Sequence, residues 1–141
     1  MNTNKILKGG IAGGVAFFLL GSVVYGMLLK DFMAANTNSC ANRPETEFIW
    51  WALVVSNFCW GFILAFIFGW SNVSSVAGAV KMSAIFGLLI GLCFDMLFYS
   101  MTTMYSNITM VIVDVLIGTV MNVIGGAIIA AVMIGKKTAA S

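Results

Sequence analysis

Asp95 lies inside the apolar run "LIGLCFDMLFYS" at residues 89–100, where a carboxyl group needs a chemical explanation. Asn57 and Asn122 lie in two other apolar runs, and Tyr25 places a phenol in a fourth. A carboxyl can bind a proton or a small cation, and amides and hydroxyls can donate hydrogen bonds to it. No lysine or arginine is available nearby to form an ion pair. Because nonpolar surroundings disfavour the charged form, we expect Asp95 to be protonated at neutral pH.

The chain contains no histidine, which excludes several kinds of catalytic and metal site. Haem b ligation, most zinc chemistry and Ser-His or Cys-His catalysis all need an imidazole. A Gly-Lys-Ser/Thr phosphate loop and a Cys-x-x-Cys pair are also missing from the sequence. We therefore predict no catalytic residue, no metal and no cofactor. The formal charge of +2 is too small and dispersed to indicate a nucleic-acid partner.

The composition indicates a membrane protein, since 61% of the residues are hydrophobic and only 9% are charged. Polar side chains could not cover the surface of a soluble domain with this composition. Four apolar stretches each approach the ~20 residues that a helix needs to cross ~30 Å of hydrocarbon. They cover residues 9–29, 48–70, 79–101 and 110–135. The predicted fold is all-α: a single membrane domain in which four transmembrane helices form a bundle within the lipid bilayer.

The basic residues predict the orientation of the four spans, because short loops rich in lysine and arginine stay on the cytoplasmic side. One side would carry Lys5, Lys8, Lys81, Lys136 and Lys137. The other side would carry Lys30 and Arg43, so both termini are predicted to be cytoplasmic. The first apolar run exceeds the 7–15-residue core of a cleaved signal peptide, and we interpret it as a span.

An internal similarity relates the second span to the fourth. Residues 55–65 and 120–130 coincide at five of eleven positions, including an asparagine and, four residues later, a glycine. A weaker similarity aligns residues 19–28 with residues 89–98. We interpret the pattern as two helix hairpins repeated in parallel orientation about an axis along the membrane normal. The alternative is chance similarity between apolar helices.

Small residues recur at four-residue spacing in every span, which places them on one face of each helix. Such faces let helix backbones approach closely in lipid, where the hydrophobic effect supplies no force between helices. Gly21, Gly61, Gly91 and Gly126 are the residues predicted to make these packing contacts.

Counting residues from the cytoplasmic edge at 1.5 Å each predicts one polar level inside the membrane. Asp95, Asn57 and Asn122 come out at about 21 Å and Tyr25 near the same height, so we expect the last three to surround the carboxyl. Asp114 comes out at about 33 Å, near the outer interface. There it would stabilise its helix or be solvated, with the entrance of a pathway as the alternative.

The connections between the spans carry few distinctive features. Residues 30–47 form the predicted outer loop, which "AANTNSCANRPE" indicates to be irregular. The connection near residues 102–109 is uncharged and predicts a tight outer hairpin. Tyr99 and Tyr105 are assigned to the aromatic belt at the interface.

Two stretches carry a resemblance to known sequences. The segments "FFLLGSVVYGMLLKDFM" at 17–33 and "IWWALVVSN" at 49–57, with an aspartate late in the third span, resemble a group of small uncharacterised bacterial proteins with four membrane helices. The resemblance implies a bacterial inner-membrane location and supplies no activity, substrate or catalytic residue.

Two functional hypotheses follow from these observations. In the preferred one, the protein acts through helix packing, either as an accessory or assembly subunit of a larger membrane complex or as a homo-oligomer. In the alternative, it is a proton- or cation-linked transporter or channel that uses Asp95 as its ion-binding group, with Asn57, Asn122 and Tyr25 orienting it. Replacement of Asp95 by asparagine separates the two, since only the second hypothesis needs a titratable group.

Overall fold

The computed structural model describes residues 2–38, 40 and 43–135, and these residues are predominantly helical. Its helices are α1 (Thr3–Val23), α2 (Lys30–Asn36), α3 (Trp50–Trp70), α4 (Val76–Met101) and α5 (Ile108–Ile134). A π-helical turn, Val24–Leu28, extends α1, and a 3-10 turn, Glu45–Glu47, precedes α3. Four helical segments of the described chain are long and apolar enough to span a membrane: Thr3–Leu28, α3, α4 and α5. The predicted all-helical fold with four spans is confirmed.

Polar caps explain why α1 and α4 start earlier than the apolar runs suggest. The side chain of Asn2 accepts a hydrogen bond from the Lys5 amide at 3.2 Å, and Ser75 accepts one from the Gly78 amide at 3.1 Å. Each cap satisfies one of the free amides in a first helical turn. The first and third spans therefore begin in polar or small residues that hydropathy alone leaves out.

The helices pair as two hairpins, α1 with α3 and α4 with α5, and α1 also packs along α5. Between α3 and α4 the rings of Trp60 and Phe86 meet with their centroids 5.6 Å apart. This contact is less extensive than that between α1 and α5. The predicted two-fold relation between the hairpins stays a prediction.

Two of the four glycines predicted to pack helices lie at very close contacts. A Cβ added to Gly61 would lie 2.7 Å from the backbone oxygen of Gly10, so α1 and α3 touch through their backbones. A Cβ added to Gly126 would overlap the side chain of Ser83, which is fully buried between α4 and α5. Any larger residue at Gly61 or Gly126 would push two helices apart.

The other two predicted packing glycines lie in looser surroundings. A Cβ at Gly91 would lie 3.5 Å from the Val115 Cα, which is ordinary van der Waals contact. At Gly21 the nearest atom would be the Met121 Cε at 4.0 Å. Gly21 therefore makes no close helix contact, and it lines a cavity described below.

The bundle has two distinct ends. Residues 2–6, 68–74 and 133–134 line one shared depression, which defines the terminal end. The loop end, opposite, holds α2 and the connection between α4 and α5. Lys136 and Lys137, on which the predicted orientation partly rests, lie outside the described residues. Which end faces the cytoplasm stays a prediction.

The first connection is more ordered at its start than the sequence indicates. The predicted irregular loop at 30–47 begins with α2, and the backbone beyond it pairs with the α4–α5 connection. The Asn38 amide donates to the Met104 oxygen at 2.8 Å, and the Ser106 amide donates to the Asn36 oxygen at 2.9 Å. We call α2 with residues 36–38 and 104–106 the lid, because this unit closes the loop end of α4 and α5.

Candidate functional site

Two carboxyl groups and two tyrosines meet beneath the lid. The Tyr105 hydroxyl lies 3.1 Å from Asp95 Oδ1 and 3.2 Å from Asp114 Oδ2. The Tyr25 hydroxyl donates to Asp114 Oδ1 at 2.6 Å. We call these four residues the carboxyl cluster. It joins the π-helical turn, α4, α5 and the lid through side-chain hydrogen bonds.

The antiparallel α4–α5 hairpin brings the two aspartates to one level. Asp95 lies six residues before the last residue of α4, and Asp114 lies six residues after the first residue of α5. Measured from the terminal end, Asp95 follows Val76 by 19 residues and Asp114 precedes Ile134 by 20. At 1.5 Å per residue, both lie about 28–30 Å along their helices.

The sequence-based placement of Asp114 above Asp95 is therefore wrong. That estimate took Lys81 as the membrane edge, but Lys81 lies five residues inside α4, which begins at Val76. Counting from Lys81 placed Asp95 too low by more than one helical turn. Asp114 belongs to the site that Asp95 forms, and it is not a separate solvated residue above that site.

Apolar side chains cover the cluster on the loop side. Asp95 is 9% exposed and Tyr105 is 8% exposed. Fully or nearly buried Met110, Val111 and Val115 pack with Tyr105, and Phe32, Met33 and Met104 close over them. Within the described part of the chain, no lysine or arginine forms an ion pair with either aspartate. The carboxyls therefore depend on hydroxyl donors for stabilisation.

The hydrogen-bond geometry limits how many protons the cluster must hold. A tyrosine hydroxyl carries one hydrogen and can donate to one acceptor at a time. Since Tyr105 touches both aspartates, it can donate to one carboxylate and accept from the other only if that other carboxyl carries a proton. The arrangement is complete when Asp95 and Asp114 together hold one proton. One hydroxyl therefore links the hydrogen bonding of the two carboxyls.

Tyr105 is fixed as a hydrogen donor by its surroundings. Burial raises the pKa of the Tyr105 hydroxyl well above its ordinary value, and the negative charges of Asp114 and Asp95 raise it further. The hydroxyl therefore keeps its hydrogen throughout the physiological range of pH.

Tyr105 is the site residue that sequence reasoning missed, because a tyrosine near a span end indicates an interfacial belt. Tyr99 is 40% exposed, as such a residue would be, whereas Tyr105 points inward. A signal was present in the sequence. Asp95 and Asp114 lie at equal distances from the 102–107 connection, and residues placed in this way face each other in an antiparallel hairpin.

The two asparagines are not part of the carboxyl cluster. Asn122 is buried, its Oδ1 accepts a hydrogen bond from Trp60 Nε1 at 2.9 Å, and its amide donates to the Gly118 oxygen at 2.8 Å. The amide of Asn57 donates to the Leu53 oxygen at 2.8 Å. Neither bonds to Asp95 among the described contacts, so the predicted orienting role is wrong for both. Both lie 12 or 13 residues from the terminal end of their helices, well below the cluster.

Tyr25 also differs from its predicted role, because its hydroxyl donates to Asp114 and not to Asp95. Asp114 and Tyr105 lie between Tyr25 and Asp95 in the chain of hydrogen bonds. One side of Tyr25 faces a cavity of about 500 Å³. Its walls come from α1, the π-helical turn, the start of α3 and α5, and they consist of Phe18, Gly21, Ser22, Tyr25, Gly26, Glu45, Phe48, Trp50, Leu53, Asn57 and Met121. Asn57 and Gly21 thus belong to this cavity.

Among the described residues, no group of three or more histidine, cysteine, aspartate or glutamate side chains could hold a metal ion. Comparison of the chain with protein-family models, curated proteins and solved structures finds no match. The function must therefore be argued from the carboxyl cluster and the cavity beside it.

Proposed function

We propose that this protein is a proton-linked membrane transporter whose proton-binding group is the Asp95–Asp114 pair. The supporting observation is the single Tyr105 hydroxyl within hydrogen-bond distance of both carboxyls. A purely structural contact between α4 and α5 needs no second acid, and two facing carboxylates would repel each other. A pair that holds one proton has a charged and a neutral member, and it can gain or lose that proton as the pH changes.

Proton release would change the hydrogen bonds that hold the lid. In the proton-bound state one carboxyl donates to the Tyr105 oxygen, and Tyr105 donates to the other. When the proton leaves to water, Tyr105 can donate to only one of the two carboxylates and loses its hydrogen bond to the other, while Asp114 keeps Tyr25 as a donor. Because Tyr105 belongs to the lid, the loss weakens the attachment of the lid to α4 and α5. Loosening of a covering segment is a common way to open a binding site.

Tyr25 connects the pair to the cavity. Its hydroxyl donates to Asp114, while the residue also lines the cavity. A solute in the cavity would therefore contact a side chain whose hydrogen bond depends on the charge of the pair. Binding of solute and proton would then be linked, and the linkage is reciprocal.

The pH dependence of stability tests the proposal. The unfolding midpoint of the purified protein in detergent would be measured from about pH 5 to about pH 9, beside that of Asp95→Asn. We expect the wild-type midpoint to fall when the shared proton is lost, because the two like charges then repel. Asparagine supplies a permanent hydrogen donor, so Asp95→Asn should fold and lose this dependence. Identical pH profiles for both proteins would refute the proposal.

A second candidate function, helix packing within a homo-oligomer or a larger membrane complex, is favoured by α4. This helix packs mainly on α5, and apolar residues such as Ile85, Leu89 and Phe94 leave its outer face exposed. In this proposal the cluster only fastens the lid, and Asp95→Asn would leave the pH profile unchanged. Both proposals include a membrane location, supported by the four spans, and cytoplasmic termini, supported by the charge distribution. Both also include a bacterial inner-membrane location, supported by the resemblance of residues 17–33 and 49–57.

A further inference from the structure

The cavity beside Tyr25 has the size and walls of a ligand site. Its volume of about 500 Å³ lies within the range of small-molecule pockets, ~300–1,000 Å³. Phe18, Phe48 and Trp50 supply aromatic walls, and the last two rings meet edge-on with centroids 5.8 Å apart. A Cβ added to Gly26 would meet no atom within 4 Å, so this glycine leaves space open.

The polar groups in the walls present hydrogen-bond acceptors more than donors. The Ser22 hydroxyl already donates to the Phe18 oxygen at 2.8 Å, and the Tyr25 hydroxyl donates to Asp114. One amide hydrogen of Asn57 is used on the Leu53 oxygen. The lining residues therefore bring together oxygen acceptors and aromatic rings. Both kinds of group favour a cation over an anion.

The charges around the cavity favour a cation as well. All five acidic residues of the chain lie at or near the loop end: Asp31, Glu45, Glu47, Asp95 and Asp114. Among the described basic residues, Lys30 and Arg43 lie at this end, and Lys30 is paired with Glu45 at 2.6 Å. With one proton on the Asp95–Asp114 pair, four negative charges remain at the loop end against the two positive charges of the described basic residues there, and low-dielectric walls focus the resulting field.

We infer that the cavity binds a monovalent organic cation with an aromatic or aliphatic body. This inference rests on the proposed function, for which it names the class of solute. The charge would lie among the oxygens of Asn57 and Tyr25, and the apolar body would lie against Phe18 and Trp50. Since loss of the proton from the Asp95–Asp114 pair adds a negative charge beside Tyr25, cation and proton would compete.

Two probes of matched shape and opposite charge test the inference. Binding of tetraphenylphosphonium and of tetraphenylborate to the purified full-length protein in detergent would be measured by equilibrium dialysis, with empty micelles as the reference. We expect saturable binding of tetraphenylphosphonium and none of tetraphenylborate. Gly26→Val, which fills the cavity, should weaken cation binding about tenfold. Gly118→Val is the matched control, because a Cβ at Gly118 also meets no atom within 4 Å but lies outside the cavity.

Each outcome decides the inference. Absence of saturable cation binding, equal binding of the borate, or equal cation affinity in Gly26→Val and Gly118→Val would overturn it. The proposed proton site is judged separately, by the effect of Asp95→Asn on the pH profile of stability without any probe. A protein that shows that effect but binds no cation would retain the proton site and lose this solute class. A protein that binds the cation but whose pH profile of stability is unchanged by Asp95→Asn would retain this solute class and lose the proton site.

Discussion

Asp95 and Asp114 lie at one level of the α4–α5 hairpin, and the Tyr105 hydroxyl lies 3.1 Å from the first and 3.2 Å from the second. Both aspartates lie within membrane-spanning helices, where an unpaired carboxylate is costly. In the proposed function the two carboxyls hold one proton between them, so their protonation state is the property on which the mechanism depends.

Asp95→Asn and Asp95→Leu should have different effects on stability. The asparagine amide can donate to the Tyr105 oxygen as a protonated carboxyl does, so Asp95→Asn should unfold near the wild-type midpoint measured at low pH. Leucine removes one of the two hydrogen-bond partners of the buried Tyr105 hydroxyl, and Asp95→Leu should lose about 0.5–1.5 kcal/mol. Thermal unfolding in one detergent at one pH measures both. Equal losses in the two variants would show that the hydrogen bond has no part in stability.

The burial of Tyr105 leads us to expect that the free energy of unfolding falls at alkaline pH. The pKa of its hydroxyl is raised in the folded protein by burial and by Asp114, so its contribution is complete below the ordinary tyrosine value of 10.0. As the pH rises beyond that value, the unfolded chain releases the proton more readily and stability falls. Tyr105→Phe should flatten this decline between about pH 9 and pH 11.

Tyr99→Phe is the matched control for that measurement, because Tyr99 is 40% exposed on α4. Unfolding midpoints of both variants would be compared with the wild type across the same pH range. A decline that Tyr99→Phe flattens as much as Tyr105→Phe would contradict the buried position of Tyr105.

Gly126 predicts a strong steric effect at the α4–α5 interface. A Cβ there would overlap Ser83, which has no free space because it is fully buried. We expect Gly126→Ala to destabilise the protein by about 1–3 kcal/mol, as overpacking does in other cores. Gly118→Ala on the same helix should be neutral, since its Cβ would meet no atom within 4 Å. Equal stability of the two variants would contradict this packing of α4 on α5.

The two repeat-related asparagines should respond differently to leucine. Asn122→Leu removes the acceptor of the buried Trp60 hydrogen bond and should cost about 1–2 kcal/mol. Asn57 lies at the edge of a cavity and bonds only its own helix among the described contacts, so Asn57→Leu should change stability little. Chemical denaturation of both variants measures the difference. A larger loss for Asn57→Leu would favour a role for Asn57 at a contact between subunits.

Composition and apolar run length are sufficient to predict the four spans, because a bilayer admits few solutions for a chain this apolar. The four-residue spacing of small residues also predicts which faces pack closely, as at Gly61 and Gly126. Helix starts are less predictable, since caps such as Ser75 lie outside the apolar runs. Because the predicted start of α4 is too late, the depth predicted for Asp95 is too small.

The composition of the site depends on contacts that sequence spacing alone does not determine. Asn57 and Asn122 occupy equivalent positions in similar segments, yet α5 is central to the bundle and α3 is not, so their surroundings differ. Tyr105 joins the site because the lid pairs with residues 104–106, a contact between distant parts of the chain. The symmetry of the hairpin is sufficient to predict that Asp114 lies near Asp95. It does not predict that Tyr105 bridges them.

Infrared difference spectroscopy of the carboxyl region tests the central claim most directly, because a protonated carboxyl has its own C=O band. Spectra of wild-type protein in lipid, Asp95→Asn and Asp114→Asn would be recorded as the pH is raised. We predict a band equivalent to one protonated carboxyl that disappears from the wild type with rising pH. It should be missing from both variants at neutral pH, since the amide replaces the protonated member of the pair. The shared-proton site would be contradicted if the wild-type spectrum lacked this band at every pH at which the protein is folded. It would also be contradicted if the band persisted in either variant.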